Sequence, residues 1–142
     1  MADTTYTAVA TSTGEGRAGG RVETNDGILD LTLAVPQEMG GGGGGTNPEQ
    51  LFAAGYSACF HSALKSVAKS KNVSFTDSAV VAEVSIFPND AGGFALSVAL
   101  HTEFAGIDQE TADALVAEAH QVCPYSNATR GNIEVTVDAT VA

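Results

Sequence analysis

The residues of this chain best suited to redox chemistry are its two cysteines, Cys59 and Cys123, which lie far apart in the sequence. A thiolate that attacks a peroxide becomes a sulfenic acid, and a second thiol can condense with that acid to form a disulfide. This chemistry needs two cysteines and no metal. Two isolated cysteines can equally be small, buried apolar side chains, so their number alone leaves both interpretations open.

A buried thiol needs a nearby cation to ionise, because burial in apolar surroundings raises the pKa of a cysteine. Cations are scarce in this sequence, which contains only Arg17, Arg21, Lys65, Lys69, Lys71 and Arg130. The three lysines end a predicted helix and are explained by solvation and the helix dipole. Arg17 lies in a glycine-rich turn, which could direct the guanidinium inward or leave it in solvent.

Glu49 also has two interpretations. Thr46-x-x-Glu49 fits a capping box at the start of a helix, whereas a carboxylate can also orient an arginine through paired hydrogen bonds. On a continuous helix Glu49 lies about 15 Å before Cys59 along the axis. Glu49 therefore cannot readily touch the cysteine of its own helix, and it is better placed to serve the site of a partner subunit.

Two other kinds of cysteine site use the same residue types, a metal site and the active site of a cysteine hydrolase. Cys59-x-His61 places its side chains on opposed sides of a helix, so the pair cannot chelate an ion. His120-x-x-Cys123 has the spacing of metal ligands, and His101 could add a third ligand from a strand. The sequence has no Cys-x-x-Cys motif and no compact histidine cluster, so we expect no metal. A cysteine hydrolase would need His101 or His120 to reach Cys59, and no sequence pattern indicates this.

The elements that position these residues predict an α+β fold. Strands are predicted over 5–12, 21–23, 28–35, 79–87, 94–104 and 133–141, and helices over 47–71 and 108–123. This βββ-α-ββ-α-β order favours largely antiparallel strands packed on helices. Gly40 to Gly45 predicts a flexible loop, and Pro124 is expected to stop the second helix.

The helix over 47–71 is apolar around nearly its whole circumference, which is typical of a helix buried in a core or an oligomer interface. Leu51, Phe52, Phe60 and Leu64 would form a large apolar patch on a monomer, so we expect a two-fold homodimer. The apolar side chains near Cys59 also predict an apolar entrance to the thiol, lined by Phe52, Tyr56 and Phe60.

Length and charge exclude several classes of protein. The 142 residues suit one domain over 1–142. With 6 Lys and Arg against 17 Asp and Glu, the formal charge is −11, which disfavours binding to nucleic acids and to anionic membranes. The sequence contains no apolar run of about 20 residues and no signal-peptide pattern at its start. These features predict a cytoplasmic protein that does not bind membranes.

Two long motifs carry a resemblance to a known family. TNPEQLFAAGYSACF (Thr46 to Phe60) and VCPYSNATRGN (Val122 to Asn132) closely resemble the organic hydroperoxide resistance (Ohr) proteins, which belong to the larger group that includes osmotically inducible protein C (OsmC). The N-terminal turn, the Asn25-Asp26-Gly27 hairpin, the glycine loop and both helices match in order, so the resemblance covers essentially the whole chain.

The resemblance implies an OsmC/Ohr-like fold, an intertwined homodimer with active sites at its interface, and a thiol peroxidase that reduces organic hydroperoxides, including those of fatty acids, to alcohols. It implies that Cys59 is the peroxidatic and Cys123 the resolving cysteine, that Arg17 stabilises the thiolate and polarises the peroxide, and that Glu49 holds Arg17. It also implies no cofactor, only an external dithiol such as the dihydrolipoyl groups of lipoylated proteins. The segment after Arg17 is about one residue longer than the family pattern, so Arg21 is a rival for the activating role.

Overall fold

The computed structural model describes residues 5–142, whose contacts group into two compact units that divide after Leu51. The division falls inside α1, so the assignment of a single domain over 1–142 stays a prediction. The first unit contains three strands, β1 (Ala10–Thr13), β2 (Arg21–Thr24) and β3 (Asp30–Thr32). The elements from the long helix onward are α1 (Pro48–Ser70), β4 (Asp77–Pro88), β5 (Phe94–Ala105), α2 (Gln109–Val122), α3 (Pro124–Thr129) and β6 (Val135–Val141).

The first unit is an antiparallel sheet in the order β1-β2-β3. β1 and β3 are shorter than the predicted strands, and β3 begins only at Asp30 because residues 28 and 29 belong to the hairpin turn. In that turn the Gly27 N–H donates to the Thr24 carbonyl at 2.9 Å, and the Ile28 N–H donates to Asp26 Oδ1 at 3.0 Å. The predicted hairpin is confirmed, and a short 3₁₀ turn over Gly16–Ala18 joins β1 to β2.

The glycine run over 40–45 has a defined, hydrogen-bonded backbone, in contrast to the flexible loop that its composition predicts. The Gly43 N–H donates to the Val35 carbonyl at 2.9 Å, and the Gly41 N–H donates to the Pro36 carbonyl at 3.0 Å. A Cβ on Gly41 would lie 2.2 Å from the Val35 carbonyl oxygen. The glycine at this position therefore allows a close approach of two backbone segments.

Gly41 and Gly42 offer a matched pair of substitutions. We expect Gly41→Ala to destabilise the protein by about 1–3 kcal/mol, because its Cβ would overlap the Val35 backbone. A Cβ on Gly42 meets no atom within 4 Å, so Gly42→Ala should change stability by less than about 1 kcal/mol. Thermal and urea unfolding of both variants measure the difference, and equal stabilities would contradict a closely packed loop.

The second unit is built on a sheet in the order β4-β5-β6. β4 and β5 form a long antiparallel hairpin, whereas β5 and β6 run parallel. Parallel neighbours need a crossover connection, and α2 and α3 lie within that connection. α2 ends at Val122, before Pro124, as expected, and Pro124 is also the first residue of α3, a position that proline favours.

α1 buries one side rather than its whole circumference within this chain. Tyr56, Phe60 and Leu64 have no exposed surface and pack in a core with residues of β5 and α2. The opposite side exposes small and polar residues, which include Ala54, Ala58, Ser62, Lys65 and Ser66. Phe60 and Leu64 are thus already covered by their own chain, which corrects their use as part of an exposed apolar patch.

In residues 5–142, the helices fall short of the length and apolar character that crossing a membrane requires.

Candidate active site

The second unit brings the two cysteines together. Cys59 lies in the middle of α1, and Cys123 lies at the junction of α2 and α3. The Cys123 N–H donates to the Ala119 carbonyl, and the Cys123 carbonyl accepts from the Asn127 N–H, so this one residue ends α2 and caps α3. The two sulfur atoms are 3.5 Å apart, and both cysteines are in the thiol form. Cys123 is buried, whereas Cys59 is half-buried.

The surroundings of Cys59 act on its ionisation in opposite directions. Burial raises the pKa of the Cys59 thiol, and the adjacent Cys123 raises it further. The backbone N–H of Tyr125 opposes this, because a donated hydrogen bond stabilises the thiolate and lowers the pKa. The balance in this unit is a raised pKa, so a reactive thiolate requires an additional positive charge.

An aromatic cluster lies beside the cysteine-bearing face of α1. The Tyr125 ring centroid is 6.0 Å from that of Phe52 and 5.5 Å from that of Tyr56. A Cβ on Gly55 would lie 2.6 Å from the Tyr125 hydroxyl, so this glycine lets the Tyr125 ring rest on α1 one turn before Cys59. Tyr125 was not predicted as a site residue, although it follows Cys123 closely in the second motif.

The three residues predicted to line the substrate entrance differ in their exposure. Phe52 is half-buried and remains a candidate for contact with substrate. Tyr56 and Phe60 are wholly buried in the core, so in this conformation they do not line an open entrance. Tyr56 instead directs its hydroxyl toward Ser126 Oγ at 2.9 Å and Thr129 Oγ1 at 3.2 Å. The 70-residue separation of Tyr56 and Ser126 hid this contact from sequence patterns.

Arg17 and Glu49 pair within the first unit. Arg17 Nη1 donates to Glu49 Oε2 at 2.9 Å and lies 2.8 Å from Oε1, and the carboxylate side chain is only 12% exposed. Of the two interpretations of Glu49, the capping box with Thr46 does not form, because Asn47 Oδ1 caps the helix by accepting from the Gln50 N–H at 2.8 Å. The Glu49 carboxylate is therefore available to hold the guanidinium.

Arg21 has a different partner. Its Nε and Nη2 donate to the two carboxylate oxygens of Asp30, each at 2.6 Å, across the β2–β3 pair on the exposed surface. This bidentate pair holds the Arg21 guanidinium on the surface of the sheet. The two arginines therefore differ in environment, and Arg17 is the one held by a largely buried acid.

The histidines of the alternative sites have other contacts. His101 lies between Glu83 Oε1 and Asp138 Oδ2, each at 2.8 Å from a ring nitrogen, and these carboxylates raise the pKa of His101. His120 Nδ1 lies 2.7 Å from Ser126 Oγ. Within the described range 5–142, His, Cys, Asp and Glu side chains form no cluster of three or more suited to a metal ion.

Comparison with known proteins shows the family to which this chain belongs. Residues 40–138 match the family model described as OsmC-like protein. The organic hydroperoxide resistance protein of Xanthomonas axonopodis pv. citri is 50% identical over 133 residues, which cover 93% of this chain and 92% of that protein. The organic hydroperoxide resistance protein OhrB of Bacillus subtilis is 46% identical over 134 residues, which cover 94% and 96% of the two chains.

Solved structures show the same fold. The crystal structure of an organic hydroperoxide resistance protein from Elizabethkingia anophelis, with thiocyanate bound, superposes with a TM-score of 0.94 at 46% identity. The match covers 99% of this chain and 100% of that one. Both the α+β fold and the resemblance drawn from the two motifs are confirmed, and the chain belongs to the organic hydroperoxide resistance (Ohr) proteins of the OsmC family.

Proposed function

We propose that this protein is a thiol-dependent peroxidase that reduces organic hydroperoxides to alcohols and so protects against oxidative stress. The observation that carries the proposal is the 3.5 Å separation of the Cys59 and Cys123 sulfur atoms. At that distance a small movement of the side chains brings two thiols to bonding range. The names of the relatives support organic hydroperoxides as the substrate class.

The chemistry follows from two thiols. The Cys59 thiolate attacks the outer peroxide oxygen, the O–O bond breaks, and the alkoxide leaves as alcohol after taking up one proton. Cys59 is then a sulfenic acid. The Cys123 sulfur displaces the sulfenic oxygen as water, which forms the Cys59–Cys123 disulfide. Cys59 is the peroxidatic cysteine in this proposal because it is half-buried and so more open to substrate, whereas Cys123 is wholly buried.

An external dithiol closes the cycle. We propose that dihydrolipoyl groups of lipoylated proteins supply it and that no bound cofactor takes part. Two electrons and two protons from the dithiol restore both cysteines, and the dithiol leaves as a cyclic disulfide. We place the reaction in the cytoplasm, because a reducing compartment keeps both thiols free between turnovers.

The positive charge that Cys59 requires is assigned to Arg17. In the proposal its guanidinium stabilises the thiolate and polarises the peroxide, and Glu49 orients it. Support comes from the Arg17–Glu49 ion pair, which fixes one end of the guanidinium and leaves its other N–H groups available as donors. Phe52 is proposed to contact the apolar part of the substrate, and Tyr56 and Phe60 to form the layer beneath it.

A steady-state assay tests the function. With dihydrolipoamide as reductant, we expect many equivalents of a long-chain hydroperoxide to be consumed per protein. The kcat/KM for that substrate should exceed the value for hydrogen peroxide, because each buried CH₂ contributes about 0.8 kcal/mol. Consumption of only one equivalent would favour a redox sensor, and equal kcat/KM values would contradict an apolar entrance.

We propose a homodimer in which Arg17 and Glu49 serve the partner's Cys59. Exposed Ala54 and Ala58 on one side of α1 support the contact, since small side chains allow two helices to approach closely. Mixing Cys59→Ser with Glu49→Ala under conditions of subunit exchange should restore activity at one of the two sites in each mixed dimer. If mass spectrometry shows exchange and no activity returns, the shared site is wrong.

A further inference from the structure

A chain of side-chain hydrogen bonds links the helices that carry the two cysteines. It runs from α2 through α3 to α1 and back to α3, by way of His120 Nδ1, Ser126 Oγ, the Tyr56 hydroxyl and Thr129 Oγ1. The successive distances are 2.7 Å, 2.9 Å and 3.2 Å. Tyr56 and Ser126 have no exposed surface, so their hydroxyls are shielded from bulk solvent and bond within the protein.

The far end of the chain fixes the direction of its hydrogen bonds. Thr129 Oγ1 lies 3.0 Å from the Tyr125 carbonyl oxygen and 3.2 Å from the Ser126 carbonyl oxygen. A carbonyl can only accept, so the Thr129 proton points to these oxygens. In the reverse direction, lone pairs of Thr129 Oγ1 would face both carbonyls with no proton between them.

The direction of every other hydrogen bond in the chain then follows. With its own proton directed to the carbonyls, Thr129 must accept from Tyr56. Tyr56 has a single hydroxyl proton, so it accepts from Ser126. Ser126 likewise donates its single hydroxyl proton to Tyr56, so its oxygen accepts from His120. The donor at this first position must be the Nδ1–H of the imidazole.

We propose that His120 is a positioning residue, held with its proton on Nδ1, and that this one-way chain fixes the backbone around Cys123 and Tyr125 against Cys59. His120 and Ser126 lie three residues before and after Cys123, and Tyr56 lies three residues before Cys59. The last acceptors are the carbonyls of Tyr125 and Ser126. Only the effect of His120 on peroxidase turnover rests on the proposed function.

The imidazole of His120 is neutral near pH 7.5 in this arrangement. Burial lowers the pKa of His120, and the charge of Arg130, whose Nη2 donates to the His120 carbonyl, lowers it further. A neutral imidazole carries one N–H. The chain places it on Nδ1, so Nε2 has the free lone pair.

Nitrogen NMR of the reduced, ¹⁵N-labelled protein near pH 7.5 tests the tautomer directly. Long-range ¹H–¹⁵N spectra should show a protonated Nδ1 and an unprotonated Nε2 for His120. His101 provides an internal reference for a doubly protonated imidazole. Both of its ring nitrogens face carboxylates, so both should carry protons when the pH is lowered below 7.5. A proton on Nε2 of His120 would overturn the proposal.

Removing the Tyr56 hydroxyl, which is two hydrogen bonds away from the His120 imidazole, gives a sharper test. In Tyr56→Phe, Ser126 loses its acceptor and can turn its proton toward Nδ1, so the His120 proton should move to Nε2. Tyr6→Phe is the matched control, because Tyr6 is 79% exposed and lies outside the chain of bonds. An Nδ1–H signal that persists in Tyr56→Phe would contradict the one-way order.

The positioning role is tested without peroxide. The rate of Cys59–Cys123 disulfide formation with oxidised dithiothreitol should fall about tenfold in His120→Ala, as expected for one lost buried hydrogen bond. His120→Asn should retain most of the rate, because its amide N–H can occupy the place of Nδ1–H. Equal rates in His120→Ala and the wild type would refute the positioning role. Absence of peroxidase turnover in the wild type, with the expected fall in disulfide formation in His120→Ala, would instead count against the proposed function alone.

Discussion

Replacement of Cys59 by serine is expected to reduce hydroperoxide consumption to the uncatalysed background, because the variant lacks the attacking sulfur. Cys123→Ser should consume one equivalent of hydroperoxide and then stop in the absence of a monothiol, since its sulfenic acid has no second thiol to condense with. Stopped-flow measurement of hydroperoxide loss, with mass spectrometry of the product, separates the two outcomes. The Cys123→Ser product should be heavier by one oxygen atom.

The two serine variants are controls for each other. Each variant lacks one of the paired sulfur atoms. The two differ in which step is lost, the attack on the peroxide or the later attack on the sulfenic acid. Rapid oxidation of Cys59→Ser by a long-chain hydroperoxide, with Cys123→Ser inert, would reverse the assignment of the two cysteines. Circular dichroism should show that both variants retain the secondary structure, because serine is close to cysteine in size.

Arg17→Ala is expected to raise the pKa of Cys59 by about 1–3 units, the usual effect of removing an opposite charge. Burial already raises this pKa, so the thiolate fraction near pH 7 should fall by about tenfold or more. The rate of attack on hydroperoxide should fall by the same factor. The pH range in which this rate increases should move upward with the pKa of Cys59. The pH dependence of iodoacetamide alkylation of Cys59, in a Cys123→Ser background, measures the shift.

Arg21→Ala is the matched control for Arg17→Ala. It removes an identical charge from the same unit, but one that is paired with Asp30 on the exposed surface. The alkylation profile of Cys59 should therefore stay unchanged. A shift in Arg21→Ala with none in Arg17→Ala would transfer the activating role to Arg21.

Local signals in the sequence predicted most of the elements. Asn47 and Pro48 mark the start of α1 within one residue, and Asp108 caps α2 by accepting from the Thr111 N–H at 2.8 Å. These signals work because a cap and its partner lie within one helical turn. The pairing of Cys59 with Cys123 was favoured by the family resemblance, since two distant cysteines alone could equally have been unpaired core residues.

The features that were missed depend on contacts between distant segments. The parallel pairing of β5 with β6 follows from the path of α2 and α3, which no strand pattern encodes. The Thr46-x-x-Glu49 spacing suggested a capping box, but Asn47 provides the cap and Glu49 pairs with Arg17. The Ser126 hydroxyl gave no sequence signal, because serine at the start of a short helix is common.

The position of the cysteine pair has a consequence for the lifetime of the protein. A Cys59–Cys123 disulfide would join α1 to the α2–α3 junction across a sequence separation of 64 residues. Closing a loop of that length restricts the unfolded chain by about 4 kcal/mol. In the proposed peroxidase cycle, the oxidised form would therefore unfold more rarely than the reduced form and would resist proteolysis better while it awaits reductant. A cell short of dithiol would then accumulate spent protein that survives until reduction resumes.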